Sequence, residues 1–299
     1  MPLTFGPQLD VRKKPGFIKR HPVLFPIIVL FVLLISISLV SRSATAPSLG
    51  VVAVEGVILE SEPTIRKLRQ LQKNPSVKGI IVRINSPGGA VAPSQEIFSE
   101  LLRLRKHKKV FVSISSVAAS GGYYIAVGSD RIFANPGSLT GSIGVIMQSY
   151  NIEELLSRVG VKPVTIKSGK NKDLGSMFRP LKKEERKLLE SVLQNTHEQF
   201  IEAVAENRTI DLEQVTELAD GRVFTGKQAA ELGLVDELAG FREVVEKMRN
   251  ELNIQKEVEL IYAKDEEKLF QQLGLEGLLP DSARVLQTGL FYLLSLSPG

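Results

Sequence analysis

Short apolar runs rich in β-branched residues alternate with helical patterns along most of this 299-residue chain, and this alternation restricts the fold more than any other feature. Strands are predicted at 50–58, 77–84, 110–115, 131–134, 163–166 and 258–262. Helices are predicted at 62–73, 94–106, 123–127, 151–159, 182–206, 211–218, 226–232 and 241–252. Strands that are apolar throughout are typical of a sheet covered on both faces. The pattern therefore predicts an α/β fold with a largely buried sheet.

A run of 19 residues without any charge, from 22 to 40, lies near the N-terminus. As a helix it would be about 28 Å long, close to the hydrocarbon thickness of a bilayer. Five Lys/Arg residues precede it, and only Arg42 follows within the next 20 residues, which places the N-terminus in the cytoplasm. We predict a cytoplasmic tail at 1–21, a single transmembrane anchor at 22–40 in the plasma or inner membrane, and a linker at 41–49. A cleaved signal peptide is the alternative, because the sequence ATA at 44–46 fits a cleavage site.

Both interpretations of the N-terminal run leave the rest of the chain outside the cytoplasm. Residues 50–265, which carry the alternating pattern, are predicted to form one folded domain. Residues 266–299 form an amphipathic tail that ends in the apolar run 289–294. This run is too short to span a bilayer, so we expect it to lie on a membrane surface or to pack on a neighbouring subunit.

Composition argues against several kinds of site. The chain has no cysteine, which excludes disulfides, thiolate metal sites and cysteine nucleophiles. None of its three histidines lies near a carboxylate pair at metal-ligand spacing, so neither a metal nor another cofactor is predicted. The net charge of +5 comes from local clusters without interleaved aromatic residues, which argues against nucleic acid as a partner.

Ser120 and its glycine neighbours carry the chemistry that the sequence predicts. Ser120 lies between a predicted strand and a short apolar helix, where backbone N–H groups favour developing negative charge. The N–H of Gly121, together with one from the sequence SPGG at 86–89, would make a two-donor oxyanion hole worth about 3 kcal/mol per donor. Each motif alone is more typical of a helix cap or a turn. Together they predict an acyl-transfer site with Ser120 as the nucleophile.

The base of this site has lysine candidates rather than a histidine. Lys167, Lys170 and Lys172 lie in one short stretch, and lysines in a loop are usually solvated. A lysine acts as a base only when it is neutral near pH 7, which requires burial or a cationic neighbour. The residues by themselves leave the choice among the three open. No G-x-S-x-G elbow, P-loop or Rossmann glycine fingerprint occurs in the chain.

Four motifs, taken in order, resemble the signal peptide peptidase A family in its short single-repeat form. They are RINSPGG at 83–89, ASGGYY at 119–124, GSLTGSIGV at 137–145 and KSGKNKD at 167–173. The resemblance covers about 50–262. It implies a Clp protease/crotonase-like fold of repeated β-β-α units.

The same resemblance assigns roles to individual residues. It implies that Ser120 is the nucleophile, that Lys172 is the general base, and that Ser142 orients the lysine amine. It further implies oxyanion donors at Gly89 and Gly121, with Gly88 as the less favoured choice. Members of this family form rings of identical subunits, so a homo-oligomer whose sites draw on neighbouring protomers is implied as well.

Residue chemistry and resemblance thus predict the same reaction, peptide hydrolysis by a Ser/Lys dyad. The resemblance implies hydrophobic peptide substrates, such as cleaved signal peptides, which a membrane-anchored domain would meet at the extracytoplasmic face. Two other classes stay open at this stage. One is a catalytically silent scaffold of the same fold that binds peptides at the membrane. The other is an acyl-CoA enzyme of the crotonase type, which an extracytoplasmic location disfavours.

Overall fold

The computed structural model describes residues 27–28, 30–34, 47–263 and 291–293. Most of the predicted anchor lies outside these residues. Its described part, residues 27–28 and 30–34, is helical and exposes apolar side chains. Over the described part of the chain, no helix has the length and apolar character needed to cross a membrane.

The region from residue 47 onwards is organised around a mostly parallel sheet. The strands, in chain order, are β1 (Ser48–Glu55), β2 (Val77–Ser86), β3 (Gly88–Ala90), β4 (Lys109–Ala119), β5 (Arg131–Ala134), β6 (Leu139–Gly141), β7 (Val223–Thr225), β8 (Glu237–Leu238), β9 (Glu259–Tyr262) and β10 (Phe291–Leu293). Eight of them form one sheet in the order β7-β6-β4-β2-β1-β9, with β5 on β4 and β8 on β5. Every described pair in this sheet is parallel except β6 with β7. β3 and β10 form a separate antiparallel pair.

Helices cover both faces of the large sheet. They are α1 (Glu62–Lys73), α2 (Val91–Leu104), α3 (Gly121–Ala126), α4 (Glu153–Arg158), α5 (Lys183–Arg208), α6 (Leu212–Leu218), α7 (Gly226–Glu231) and α8 (Phe241–Glu251). The larger apolar core contains residues of α1, α2, α3 and α5, among them Leu68, Ile97, Tyr123 and Phe200. A second core joins Val244 and Met248 of α8 to Ile81, Phe111 and Phe133 of the sheet. The predicted α/β class with a largely buried sheet is confirmed, and the structure shows in addition that most of the sheet is parallel.

Secondary-structure predictions fail for short segments whose pairing strands are distant in the sequence. The prediction of a strand at 163–166 is wrong, because these residues form no regular secondary structure, pair with no strand among the described residues, and expose Val164 and Ile166. The turn predicted at 86–89 contains the start of β3, which pairs with β10 and bridges Ile58. The three-residue strands β6 and β7 and the two-residue strand β8 carry too little pattern to be predicted from the sequence.

The register of the large sheet brings the ends of three strands together. Ser86 of β2 pairs with Ala118 of β4, and Ala119 of β4 pairs with Gly141 of β6. Parallel strands end at the same edge of a sheet, and in open α/β sheets this edge is where sites form. The residues that follow β2, β4 and β6 therefore meet at one place.

Candidate active site

Ser120 occupies the junction between the buried strand β4 and helix α3, and it is 1% exposed. Its backbone N–H donates to the carbonyl of Gly141 at 2.8 Å, and its own carbonyl accepts from Tyr124 N–H at 2.8 Å. Among the described residues, the side-chain hydroxyl reaches only the carbonyl of Gly144, at 3.5 Å, which is long for an O–H···O bond. The backbone of Ser120 is thus fixed, while its oxygen remains free to react.

The backbone of Ser120 is also strained, with φ of 51° and ψ of −117°. A non-glycine residue rarely adopts a positive φ, and the surrounding hydrogen bonds hold this conformation. Helix α3 starts at Gly121 immediately afterwards, and N–H groups in the first turn of a helix have no acceptor inside it. A Cβ on Gly122 would lie 3.0 Å from the carbonyl of Ser86, so helix and strand end approach closely. This packing brings the first turn of α3 next to the end of β2, where the glycine motif begins.

The glycine strand β3 has Ile58 on one edge and β10 on the other. Ile58 N–H donates to the Gly88 carbonyl at 2.9 Å, and Ala90 N–H donates to the Ile58 carbonyl at 2.7 Å. Because N–H groups alternate along a strand, Gly89 N–H points away from Ile58, toward the edge on which β10 lies opposite Gly89. Gly88 N–H already donates to Ser86 Oγ at 3.1 Å. This geometry favours Gly89 over Gly88 as an oxyanion donor.

Gly89 is the position in this strand that tolerates no side chain. A Cβ there would lie 2.0 Å from the carbonyl oxygen and 2.5 Å from the nitrogen of Ile58. Gly88 has a positive φ of 106°, a conformation that favours glycine. The two glycines are therefore required for different reasons, one for space and one for backbone conformation.

Ser142 follows β6 directly and lies next to Ser120 across the strand pair. It is 6% exposed, and its N–H donates to the carbonyl of Arg222 at 2.8 Å. It also lines a cavity of about 630 Å³ together with Gly144, Val145, Glu190, His197 and Asp220, among others. A polar group entering this cavity would reach Ser142 and Gly144, and the carbonyl of Gly144 lies 3.5 Å from Ser120 Oγ.

Two charged residues and a histidine in this cavity were not predicted from the sequence. Glu190 and His197 come from α5, and Asp220 from the loop before β7, so only the tertiary fold brings them to Ser142. His197 Nε2 is buried without a hydrogen-bond partner among the described residues. Arg222 donates hydrogen bonds to Asp220, and these hold the pKa of that carboxyl at about 2. Asp220 is therefore ionised at neutral pH, and its charge is paired with that of Arg222.

The tyrosines of the ASGGYY motif are structural. Tyr123 is fully buried, and its hydroxyl donates to the Leu234 carbonyl at 2.8 Å. Burial raises the pKa of this hydroxyl far above its usual value, so it stays protonated at physiological pH. The ring of Tyr124 packs against Phe98 and Phe200, with ring centroids 5.0 Å and 4.8 Å apart. These contacts fix helix α3 and hence Ser120.

Lys172 lies apart from this preformed group. Its side chain is exposed, and its backbone N–H donates to the Gly169 carbonyl at 3.1 Å. Within the described residues, Lys172 Nζ makes no hydrogen bond with Ser120 or Ser142. The next residue, Asp173, accepts hydrogen bonds from Lys167 and Arg179. The structure thus brings Ser120, Ser142 and the glycines together in one chain, and leaves the lysine on a separate exposed segment.

The fold and this arrangement define a class, a serine hydrolase on a Clp protease-like scaffold. The sequence profile of Peptidase family S49 matches residues 103–255, and that of Clp protease matches residues 58–140. The chain belongs to Peptidase family S49, which confirms the resemblance drawn from its motifs. The first match contains Ser120, Ser142 and Lys172, and the second contains both Gly88 and Gly89.

Similar proteins agree with this membership. A Synechocystis protein described as a candidate protease is 42% identical over 198 residues, covering 66% of this chain and 72% of that protein. A candidate signal peptide peptidase SppA of Enterococcus faecium is 37% identical over 202 residues, covering 67% of this chain and 59% of that protein. Protease 4 of Salmonella typhi is 32% identical over 265 residues, covering 83% of this chain, which spans only 43% of that protein. These relatives identify a serine-type peptidase.

A solved structure supports the fold alone. It is a serine-to-alanine mutant of the 1510-N membrane-bound stomatin-specific protease, with a TM-score of 0.50 and 18% sequence identity. The match covers 73% of this chain and 98% of the other.

Proposed function

We propose that this protein is a membrane-anchored serine endopeptidase that uses a Ser120/Lys172 dyad to cut hydrophobic peptides, such as signal-peptide remnants, at the extracytoplasmic face. One observation carries the proposal. A strained, buried serine with a weakly bonded hydroxyl lies beside a glycine strand whose outer edge accepts an extended segment.

The pairing of β10 with β3 favours a peptide as the substrate. Residues 291–293 lie antiparallel to β3, with Tyr292 opposite Gly89 and Leu293 opposite Gly88. An extended peptide that adds a strand at this edge would gain main-chain hydrogen bonds and would bring a carbonyl towards Ser120. An acyl-CoA thioester has no such strand to offer, so this observation favours peptidase over crotonase chemistry.

The reaction follows from these groups. The neutral amine of Lys172 takes the proton of Ser120 Oγ as this oxygen bonds to the peptide carbonyl carbon, and Ser142 orients the amine. The N–H groups of Gly89 and Gly121 hold the resulting oxyanion. The carbon–nitrogen bond then breaks, and the lysine ammonium gives its proton to the leaving amine. Water, deprotonated by the amine, cleaves the Ser120 ester, and the proton returns to Ser120.

The exposed position of Lys172 favours a base supplied by a neighbouring subunit. Its segment carries Val161, Val164 and Ile166, whose side chains are 50%, 85% and 94% exposed. Exposed apolar side chains in such number mark an interaction surface. The cavity beside Ser142 has room for a side chain that enters from a neighbouring subunit, and burial there would favour the neutral amine that a lysine base requires. We therefore propose a homo-oligomeric ring in which Lys172 of one subunit reaches Ser142 of the next.

The anchor belongs to the same proposal. The uncharged run at 22–40 and its basic flank would keep the peptidase close to peptides left in the bilayer. The protein of the similar solved structure is itself described as membrane-bound. Fractionation with carbonate washing would test anchoring, and the proposal expects the protein to remain in the membrane pellet.

The central test is hydrolysis of a hydrophobic signal-peptide-like substrate by the full-length protein in detergent. The comparison is wild type, Ser120→Ala and a control, Ser191→Ala, which changes an exposed serine on α5. We expect wild type and S191A to cleave, and S120A to lose activity by at least about 10³-fold while keeping the same oligomer. Equal cleavage by all three would overturn the nucleophile assignment. If none of them cleaves, a scaffold of the same fold replaces the peptidase.

A further inference from the structure

Arg179 donates hydrogen bonds to Asp173, the residue after Lys172, and to the first turn of helix α5. Its Nε donates to Asp173 Oδ2 at 2.9 Å, and its Nη2 donates to the Asp173 backbone carbonyl at 3.1 Å. Its terminal nitrogens also donate to Glu185 Oε1 and Oε2 at 2.7 and 2.8 Å, and one donates to the Pro180 carbonyl at 3.2 Å. A guanidinium has five N–H donors, and all five are used here. Arg179 therefore has no donor left for a substrate.

These contacts join the residue next to Lys172 to the start of a long helix. Glu185 is in the first turn of α5, and its carboxylate also accepts from the Lys182 N–H at 3.0 Å. Farther along, α5 enters the core through Phe200 and Val204, both 0% exposed. Phe200 contacts Tyr124 of α3, the helix that follows Ser120. A continuous set of contacts thus runs from the nucleophile helix to Asp173.

The cluster is better shielded than an ordinary surface ion pair. The side chains of Glu185, Asp173 and Arg179 are 6%, 12% and 23% exposed. Pairing between Arg179 and Glu185 is bidentate, a geometry that adds strength and fixes orientation. Most isolated surface pairs contribute little, but partly buried networks with bidentate geometry are the exception.

We propose that Arg179 is a positioning residue, which fixes the backbone beside Lys172 so that the amine reaches Ser142 of the site it serves. This inference rests on the proposed function, because it assigns Lys172 the role of base. It also gives a role to Asp173, the residue directly after Lys172. Both its carboxylate and its backbone carbonyl accept hydrogen bonds from Arg179. Arg179 itself touches neither the substrate nor the reacting atoms.

The experiment compares wild type, Arg179→Ala and a control, Arg242→Ala, in the full-length protein. Arg242 is 93% exposed and pairs with Glu246 one turn away on α8. Rates are expressed per active site, titrated with a serine-reactive fluorophosphonate. We expect R179A to lower kcat by about 10- to 100-fold with KM changed less than about twofold, since a displacement near 1 Å can cost 10²-fold in rate. R242A should match wild type.

Measuring the same substitution in a Lys172→Ala protein distinguishes a loss of lysine positioning from a general loss of folding. In the Lys172→Ala protein, R179A should cause no further loss of the residual rate, because the group that it positions is already absent. An equal additional loss in that background would overturn the inference, as would wild-type kcat in R179A. If R179A does not fold, Asp173→Asn takes its place, since it keeps the side-chain size and removes the charge. D173N must then show the same pattern, a lower kcat only when Lys172 is present.

The outcomes distinguish the two proposals. If S120A matches wild type, the proposed function fails whatever R179A does. If S120A is inactive and R179A matches wild type, only the positioning role fails.

Discussion

Two regions of this molecule differ in how the fold holds them: the nucleophile region, residues 86–90, 118–122 and 139–144, and the base segment, residues 159–181. The nucleophile region is built from ends of paired strands, and Ser120 and Ser142 are 1% and 6% exposed. The base segment has only the short helix α4 immediately before it and no strand, and most of its side chains are exposed. Its main restraint is the group of ion pairs around Arg179.

This difference indicates which part of the candidate site is preorganised within one subunit. The sheet and core hold Ser120 and the candidate oxyanion donors in fixed positions, as electrostatic preorganisation requires. The base segment keeps its internal geometry through Arg179, but within the described part of the chain it exposes the apolar side chains Val161, Val164 and Ile166. The two regions should therefore respond differently to mutation, truncation and pH.

The largest expected effect separates Lys172 from its neighbours. Lys172→Ala should lower kcat by about 10³-fold, because general-base catalysis typically contributes 10²- to 10⁴-fold. Lys170→Ala is the matched control, an exposed lysine two residues away, and it should stay within about twofold of wild type by the same reasoning. Steady-state kinetics on one peptide substrate decides between them. An active K172A beside an inactive K170A would move the base to Lys170.

The next effect tests the nucleophile region. Gly89→Ala would place a Cβ 2.0 Å from the Ile58 carbonyl oxygen, so β3 must shift and carry its N–H away from the oxyanion. We expect kcat to fall by about 10²- to 10³-fold, the usual cost of losing one oxyanion donor. Gly137→Ala is the control, since its Cβ would meet nothing within 4 Å. Wild-type kcat and Tm in G89A would show that β3 does not supply a donor.

Removal of the C-terminal strand should have a smaller effect on the same region. A chain that ends at residue 288 lacks β10 and leaves the edge of β3 open to substrate. A tethered segment competes at an effective concentration near millimolar, so we expect KM to fall by about 2- to 10-fold with kcat unchanged. A chain that ends at Leu293 retains the strand and should behave as wild type. A KM that is the same in both chains would mean that β10 does not occupy the substrate edge.

The smallest expected effect is the loss of hydrogen-exchange protection in the base segment at low pH. Hydrogen bonds from Arg179 and Lys167 hold the pKa of Asp173 well below its usual value of 3.8, and Arg179 with the Lys182 backbone N–H lowers that of Glu185 from 4.5 to about 2. Groups with a lowered pKa stabilise the folded state above their unfolded pKa and lose that contribution as pH falls through the folded value. Hydrogen-exchange protection at 167–185 should thus be constant above about pH 5 and decline below about pH 4, before that of β2 and β4.

Two results would contradict this account of the base segment. Protection that changes between about pH 6 and 8 would require a different titrating group. Simultaneous loss of protection in the base segment and in the central strands would mean that the two regions are not held independently.

The sequence predicts the two regions unequally well, for physical reasons. β2, β4 and β5 follow from continuous apolar runs, and the carboxyl ends of buried strands point to the neighbourhood of Ser120. β3 and β6 are short and rich in glycine, so their existence depends on Ile58, β4 and β10 rather than on local pattern. The family resemblance pointed to Gly89 and Ser142. The structure adds that Gly89 closely approaches Ile58 and that β6, directly before Ser142, is in register with β4. Neither contact can be read from the motifs.

Charge contacts that depend on the tertiary fold could not be predicted from the sequence. Arg179 and Glu185 are six residues apart, and no local rule indicates that one guanidinium will join Glu185 to Asp173. Glu190, His197 and Asp220 reach the cavity beside Ser142 only through the packing of α5 and the loop before β7. The β-branched run at 163–166 was predicted as a strand because its composition suits one, yet its side chains are exposed and it has no pairing strand within the described residues.

The measurement that tests the central claim most directly is complementation between two inactive variants. S120A and K172A subunits are mixed under conditions that exchange subunits, and peptide hydrolysis is compared with that of each variant alone. If Lys172 serves the Ser120 of a neighbouring subunit, about one quarter of the sites in a 1:1 mixture combine an intact serine with an intact lysine, and activity returns to about that fraction. If mixed oligomers form and remain as inactive as the separate variants, the two residues do not meet across subunits, and the account of a site completed by its neighbour is wrong.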